Sequence, residues 1–150
     1  MPQSFVCLNC HVIFSTKNRE PLITEAIDSR LREYIGGTAR QTGCRLLAIG
    51  GMADHVHLLL SMGKQRSLAD TIRDIKSNPS RWIHETFDAL RGFAWQARYG
   101  AFSLSYSAMD EVRRYIHRQQ EHHRVRSFKE EFLTLLQRHN IEYDERYIWD

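Results

Sequence analysis

At 150 residues the chain has the size of one domain. Apolar residues make up 42% and charged residues 26%, a globular balance that excludes a disordered chain; the longest apolar runs, Leu46–Ile49 and Val56–Leu60, are far too short to span a membrane. The net charge of +3 divides unevenly, since residues 1–126 carry 18 Lys and Arg against 12 Asp and Glu, whereas residues 127–150 carry 3 against 6.

Phe5 to Phe14 alternates with period two. Val6, Leu8, Cys10, Val12 and Phe14 share one face, and Phe5, Cys7, Asn9, His11 and Ile13 share the other, which predicts a strand. After a loop over residues 15–21, Thr24 stands where a helix N-cap belongs. Ala26, Ile27, Leu31, Tyr34 and Ile35 then recur at helical spacing, and Gly36-Gly37 is expected to loosen or end that helix. Cys44–Ile49 and His55–Met62 read as strands joined by a turn over residues 50–54. In the second of these, Val56, Leu58, Leu60 and Met62 lie on one face, with His55, His57, Leu59 and Ser61 on the other. Ser67 caps a second helix, which Pro79 is expected to kink or restart.

Phe93–Trp95 and Phe102–Ser105 look extended around a loop. Asp110 opens a third helix to about Arg124, Phe128–His139 forms a fourth, and the acidic tail 141–150 docks through Tyr143, Tyr147 and Trp149. The order β-α-β-β-α-β predicts an α+β fold with a ferredoxin-like, RRM-like split βαβ sheet and added C-terminal helices. A single domain 1–150 follows, with sheet and two helices over about 4–105, a helix at about 110–124, and a last helix and tail at 128–150. The sheet face away from the first two helices stays bare unless the C-terminal helices or a second copy cover it. There is no internal repeat.

Met1-Pro2-Gln3-Ser4 carries no basic region ahead of an apolar stretch, so no signal peptide is read and the expected location is cytoplasmic. Cys7-Leu8-Asn9-Cys10-His11 spells a haem-attachment pattern, but in a strand the two thiols face opposite ways and cannot both reach one porphyrin edge. A zinc site from Cys7, Cys10 and Cys44 fails for the same reason.

His55-Val56-His57 sets two imidazoles side by side on one strand face. Two histidines make a metal hypothesis and need a further ligand. Tyr115 and Gln119, spaced i and i+4, project from one face of the third helix. A phenol and an amide oxygen aimed together at a two-histidine metal make a coherent phosphodiester-cleaving centre. His122, three residues past Gln119, is an alternative ligand. Seventeen of the 21 basic side chains are arginine, whose planar fork suits phosphate.

Taken together these residues resemble the single-tyrosine HUH transposases of bacterial insertion sequences (TnpA type) and their REP-associated relatives. The segments that carry the likeness are His11–Arg19, Met52–Leu59, Trp95-Gln96, Tyr99–Ser103 and Tyr115–His123, and the Phe128–Asp150 tail resembles the family's usual end, so it spans nearly the whole chain. The resemblance implies that Tyr115 is the nucleophile, joined to a 5′-phosphate of single-stranded DNA while a 3′-hydroxyl is released. It implies that His55, His57 and Gln119 hold Mg²⁺ or Mn²⁺, that the substrate is hairpin-flanked DNA, and that the protein works as a homodimer in which one subunit's tyrosine helix can complete the other's site. Imidazole ligands favour softer metals than magnesium, so manganese is expected to serve at least as well. Lys17, Asn18, Arg19, Arg73, Lys76, Arg81, Arg113, Arg114 and Arg118 are the candidate DNA contacts. A bacterial nucleoid association and the absence of any membrane role go with this reading. Two alternatives are a domesticated relative that nicks repeated palindromes and a noncatalytic module binding single strands on its sheet. The latter usually presents stacking aromatics, where this strand face offers histidines and the lone Phe5.

Overall fold

The computed structural model describes residues 3–119 and 126–150. Among them, β1 (Asn9–Ser15), β2 (Arg45–Met52), β3 (His55–Ser61) and β4 (Gly100–Leu104) form one sheet in the order β2-β3-β1-β4, with every neighbouring pair antiparallel. The helices are α1 (Glu25–Gln41), α2 (Leu68–Thr86), α3 (Met109–His117) and α4 (Phe128–Arg138). This is the expected α+β split βαβ arrangement.

The alternation in β1 and β3 decides which residues go where. Cys10, Val12 and Phe14 join Val56, Leu58 and Leu60 under α1 and α2, whose inward residues are Ile27, Leu31, Ile35, Ile72, Ile75 and Ile83. Each such side chain, fully buried, contributes about 1.5–3 kcal/mol. The opposite face is covered by the chain's own C-terminal elements. Ile13 and Phe102 pack under Phe128, Phe132, Leu135 and Leu136 of α4, with Tyr143, Ile148 and Trp149 of the tail against them. Ala48 and Leu59 pack under Met109 and Ile116 of α3. Tyr147, expected to help dock the tail, is 59% exposed.

Several boundaries differ from the sequence reading. The first strand begins at Asn9, where the ladders with β3 and β4 end opposite Ser61 and Leu104, with one further bond from the Met62 N–H to the Leu8 carbonyl at 2.7 Å. Phe5 and Leu8 are consequently left 88% and 60% exposed. Gly36-Gly37 does not end α1, which runs on to Gln41 because Ile35 and Ala39 are anchored in the core on either side. The chain leaves that helix at Thr42 and turns at Gly43, whose φ of 82° suits glycine. Thr24 sits at the N-cap without a side-chain bond, whereas Ser67 does accept from the Asp70 amide at 3.1 Å.

Pro79 does not restart α2, which is one continuous helix over Leu68–Thr86. The proline is buried on the core face. It removes the N–H that would bond the Ile75 carbonyl, and its burial against the core offsets that loss. The last strand spans Gly100–Leu104 instead of Phe102–Ser105, and Trp95 makes only an isolated bridge to Thr16. The third helix stops at His117, with Arg118 already off helical geometry at ψ 25°, and residues 120–124 of the expected helix lie outside the described residues.

Gly50 and Gly51 read as turn residues, yet they belong to β2, opposite His57 and Val56; the turn itself is Ala53-Asp54. Gly50 is there for close approach: a Cβ at that position would run into the Ile116 backbone carbonyl of α3. Gly50→Ala should therefore lift α3 from the sheet and cost about 1–3 kcal/mol, the usual range for overpacking. Urea unfolding checks this; an unchanged midpoint would mean that α3 is not seated on Gly50.

Candidate metal and nucleophile centre

The hairpin of β2 and β3 carries His55 and His57 to the covered side of the sheet, where both are fully buried. Asp54, in the turn, accepts a hydrogen bond from His55 Nδ1 at 2.7 Å, which leaves Nε2 directed at the centre. From β1, His11 shares a 2.7 Å hydrogen bond between its Nε2 and His57 Nδ1. Burial, and then the neighbouring His57, lowers the His11 pKa to about 3, so His11 is neutral at physiological pH.

A carboxylate completes the group. Glu131, in the first turn of α4, is 2% exposed. Its Oε1 lies 3.1 Å from His57 Nε2 and its Oε2 lies 3.9 Å from His55 Nε2. Ligand atoms of His55, His57 and Glu131 all fall within 4.8 Å of one another. Two donors on one ion at about 2.1 Å each stand at most about 4.2 Å apart, so both histidine–carboxylate spacings fit a shared cation.

Tyr115 and Gln119 reach the same carboxylate. The Tyr115 hydroxyl donates to Glu131 Oε1, and Gln119 Nε2 donates to it at 3.2 Å. Gln119 Oε1 lies 3.3 Å from His55 Nε2, and the Tyr115 ring centroid is 5.8 Å from that of His57. Burial first, and the Glu131 contact second, push the Tyr115 pKa well above its ordinary value. The phenol is thus protonated at neutral pH and needs a proton acceptor before it can attack anything.

His55, His57, Tyr115 and Gln119, all named from the sequence, come together here. His11, Asp54 and Glu131 were missed. Glu131 had a readable signal: it occupies the i+3 place in the apolar stripe Phe128, Phe132, Leu135, where a carboxylate is out of keeping. His122 lies outside the described residues.

The candidate DNA contacts are scattered in circumstance. Lys17 and Asn18 are exposed on a short 3₁₀ turn (Lys17–Arg19), and Arg19 donates to the Trp149 carbonyl at 3.3 Å. Arg73 pairs with Asp70 at 3.2 Å and Asp74 at 3.6 Å, and Arg113 faces Asp110 at 3.8 Å. Lys76 donates to the Gln96 and Arg98 carbonyls, both at 2.8 Å, and burial lowers its pKa to about 8. Arg81, Arg114 and Arg118 are exposed. Of the decoy cysteines, Cys7 is exposed and Cys10 is buried, its thiol pushed up to about 11 by burial and by Cys44.

Comparison with known proteins agrees with this architecture. The chain is 25% identical over 119 residues to the ISDra2 transposase TnpA of Deinococcus radiodurans, covering 76% of this chain and 85% of that protein. A crystal structure from D. radiodurans R1, described as a transposase, superposes with a TM-score of 0.64 at 25% identity, covering 77% of this chain and 94% of that one. A REP-associated tyrosine transposase bound to a REP hairpin shares the fold, with a TM-score of 0.58 at 15% identity, covering 77% and 68%. No helix among the described residues is long and apolar enough to cross a membrane. The model of the family described as "Transposase IS200 like" matches residues 4–119, most of the chain and every strand of the sheet, and the chain belongs to that family.

Proposed function

We propose that this transposase cleaves and rejoins single-stranded DNA at hairpin-flanked ends through a covalent 5′-phosphotyrosine on Tyr115. The observation that carries the reading is the convergence of the Tyr115 hydroxyl, two imidazoles, the Gln119 amide and a buried carboxylate on one small volume. His55, His57, Gln119 and Glu131 would hold a divalent cation, Mg²⁺ or Mn²⁺. The oxygens of Glu131 and Gln119 ease the mismatch between imidazole ligands and magnesium. When bound, such a cation polarises the scissile phosphate.

The chain's own groups do the rest. Glu131 Oε1, already accepting from the phenol, takes its proton. The Tyr115 oxygen bonds to phosphorus, the bond to the 3′ oxygen breaks, and that oxygen leaves as a hydroxyl after gaining a proton. The new phosphodiester conserves the bond energy, so attack by a 3′-hydroxyl reverses the step and joins strands. Tyr115 meets Glu131 of its own chain, and in a homodimer the tyrosine helices would either stay so paired or be exchanged between subunits.

The test is a denaturing gel of the protein incubated with labelled single-stranded hairpin oligonucleotides, including the ends of its own locus. A labelled adduct that needs Mg²⁺ or Mn²⁺ and disappears in His55→Ala is the expected result. Hairpin binding without any adduct would overturn the reading in favour of a binding module.

A further inference from the structure

His57 meets the centre through one nitrogen only. Its Nε2 faces Glu131 Oε1 at 3.1 Å, while its Nδ1 is engaged with His11 Nε2 at 2.7 Å. A neutral imidazole that ligates through Nε2 carries its proton on Nδ1. The bond to His11 then has one possible sense: His57 Nδ1–H donates and His11 Nε2 accepts. His55 has the analogous support from the Asp54 carboxylate, so the two histidines are oriented by partners of different chemistry.

The backbone makes this pairing rigid. Ile13 stands opposite His57 and His11 opposite Leu59 in the ladder between the two central strands, which puts His11 diagonally beside His57 on the same sheet face. His11 is buried, so bulk water does not substitute for it as the acceptor.

We propose that His11 is a positioning residue that holds His57 in the Nδ1–H tautomer and so turns the Nε2 lone pair toward the metal. This rests on the reading of His57 as a ligand. The role runs through the hydrogen bond to His57, whereas the contact of His11 with the Tyr115 ring is edge-on packing at 6.0 Å between centroids.

Two substitutions separate this role from simple packing. His11→Phe keeps a ring of similar size but removes the acceptor; His11→Gln keeps an oxygen that reaches about as far as Nε2. Mn²⁺ titration followed by electron paramagnetic resonance should show affinity falling about 10–100-fold in His11→Phe, the range for losing an outer partner of a ligating histidine, with most of it restored in His11→Gln. Nitrogen NMR of histidine-labelled wild-type protein saturated with Mg²⁺ should show His57 protonated at Nδ1 and His11 unprotonated at Nε2. Equal Mn²⁺ affinities in the two variants, or a proton on His11 Nε2 in the loaded wild-type protein, would overturn the proposal even if His11→Phe fails to fold. A wild-type protein that binds no Mn²⁺ would remove the metal reading, and the role of His11 with it.

Discussion

Tyr115→Phe should abolish the covalent protein–DNA adduct while leaving the fold intact. The substitution removes one oxygen and keeps the ring, which sits edge-on to His11 and His57 with centroids 6.0 and 5.8 Å away. Glu131 loses one donor but retains Gln119 Nε2 at 3.2 Å, so the stability cost should stay near that of one hydrogen bond, about 0.5–1.5 kcal/mol. The chemical cost is of another order. Removing the nucleophile that forms a covalent intermediate costs about a millionfold in well-studied hydrolases. Adduct time courses on the same labelled hairpins, beside urea unfolding of both proteins, check the two halves. Adduct formation at the wild-type rate in Tyr115→Phe would place the nucleophile elsewhere.

Glu131→Gln should largely erase the stabilisation that metal confers. A ligand that binds only the folded state at a hundred times its dissociation constant stabilises by about 2.7 kcal/mol. For a chain of this size that raises Tm by about 5–11 °C. The glutamine keeps the shape and an acceptor for the Tyr115 hydroxyl but removes the negative charge from between His55 and His57. If affinity falls a hundredfold, the same metal concentration leaves only about 0.4 kcal/mol, and the Tm shift shrinks to about 1 °C. Circular-dichroism melts with and without Mn²⁺ measure it directly. Equal shifts in both proteins would show that Glu131 is not a ligand.

Local pattern predicted the sheet well wherever pattern alone decides structure. The alternation of Val56, Leu58 and Leu60 against His55 and His57 survives intact, because a strand buried on both faces still separates its two sets of side chains. Glycine and proline were the misleading residues. Gly36-Gly37, Gly50-Gly51 and Pro79 all suggest breaks, yet each lies inside an element, since tertiary packing at Leu46, at Ile116 and in the core outweighs local preference. Phe5 to Leu8 failed in the opposite way: the alternation is there, but the ladders of β3 and β4 end opposite Asn9, and beyond them the Met62 N–H bonds the Leu8 carbonyl at 2.7 Å.

The centre was legible to the extent that its members are close in sequence. His55 with His57, and Tyr115 with Gln119, are pairs whose spacing places them together on one element. Glu131 and His11 join them only through the docking of α4 and the pairing of β1, which no spacing along the chain displays. Glu131 was also masked by its setting, because a carboxylate beside Lys129 and Glu130 in the first turn of a helix reads as solvated surface charge.

The central strand β1 is one whose slippage would be penalised twice. Moving it by a single residue along β3 would exchange its faces, sending His11 into the apolar layer beneath α1 and α2 and setting Val12 beside His57. The misaligned state would lose the packing of Val12 and Phe14, and His57 would lose its imidazole partner. Stability and chemistry thus veto the same error, and a chain that has folded at all has, by the same alignment, already oriented its histidines.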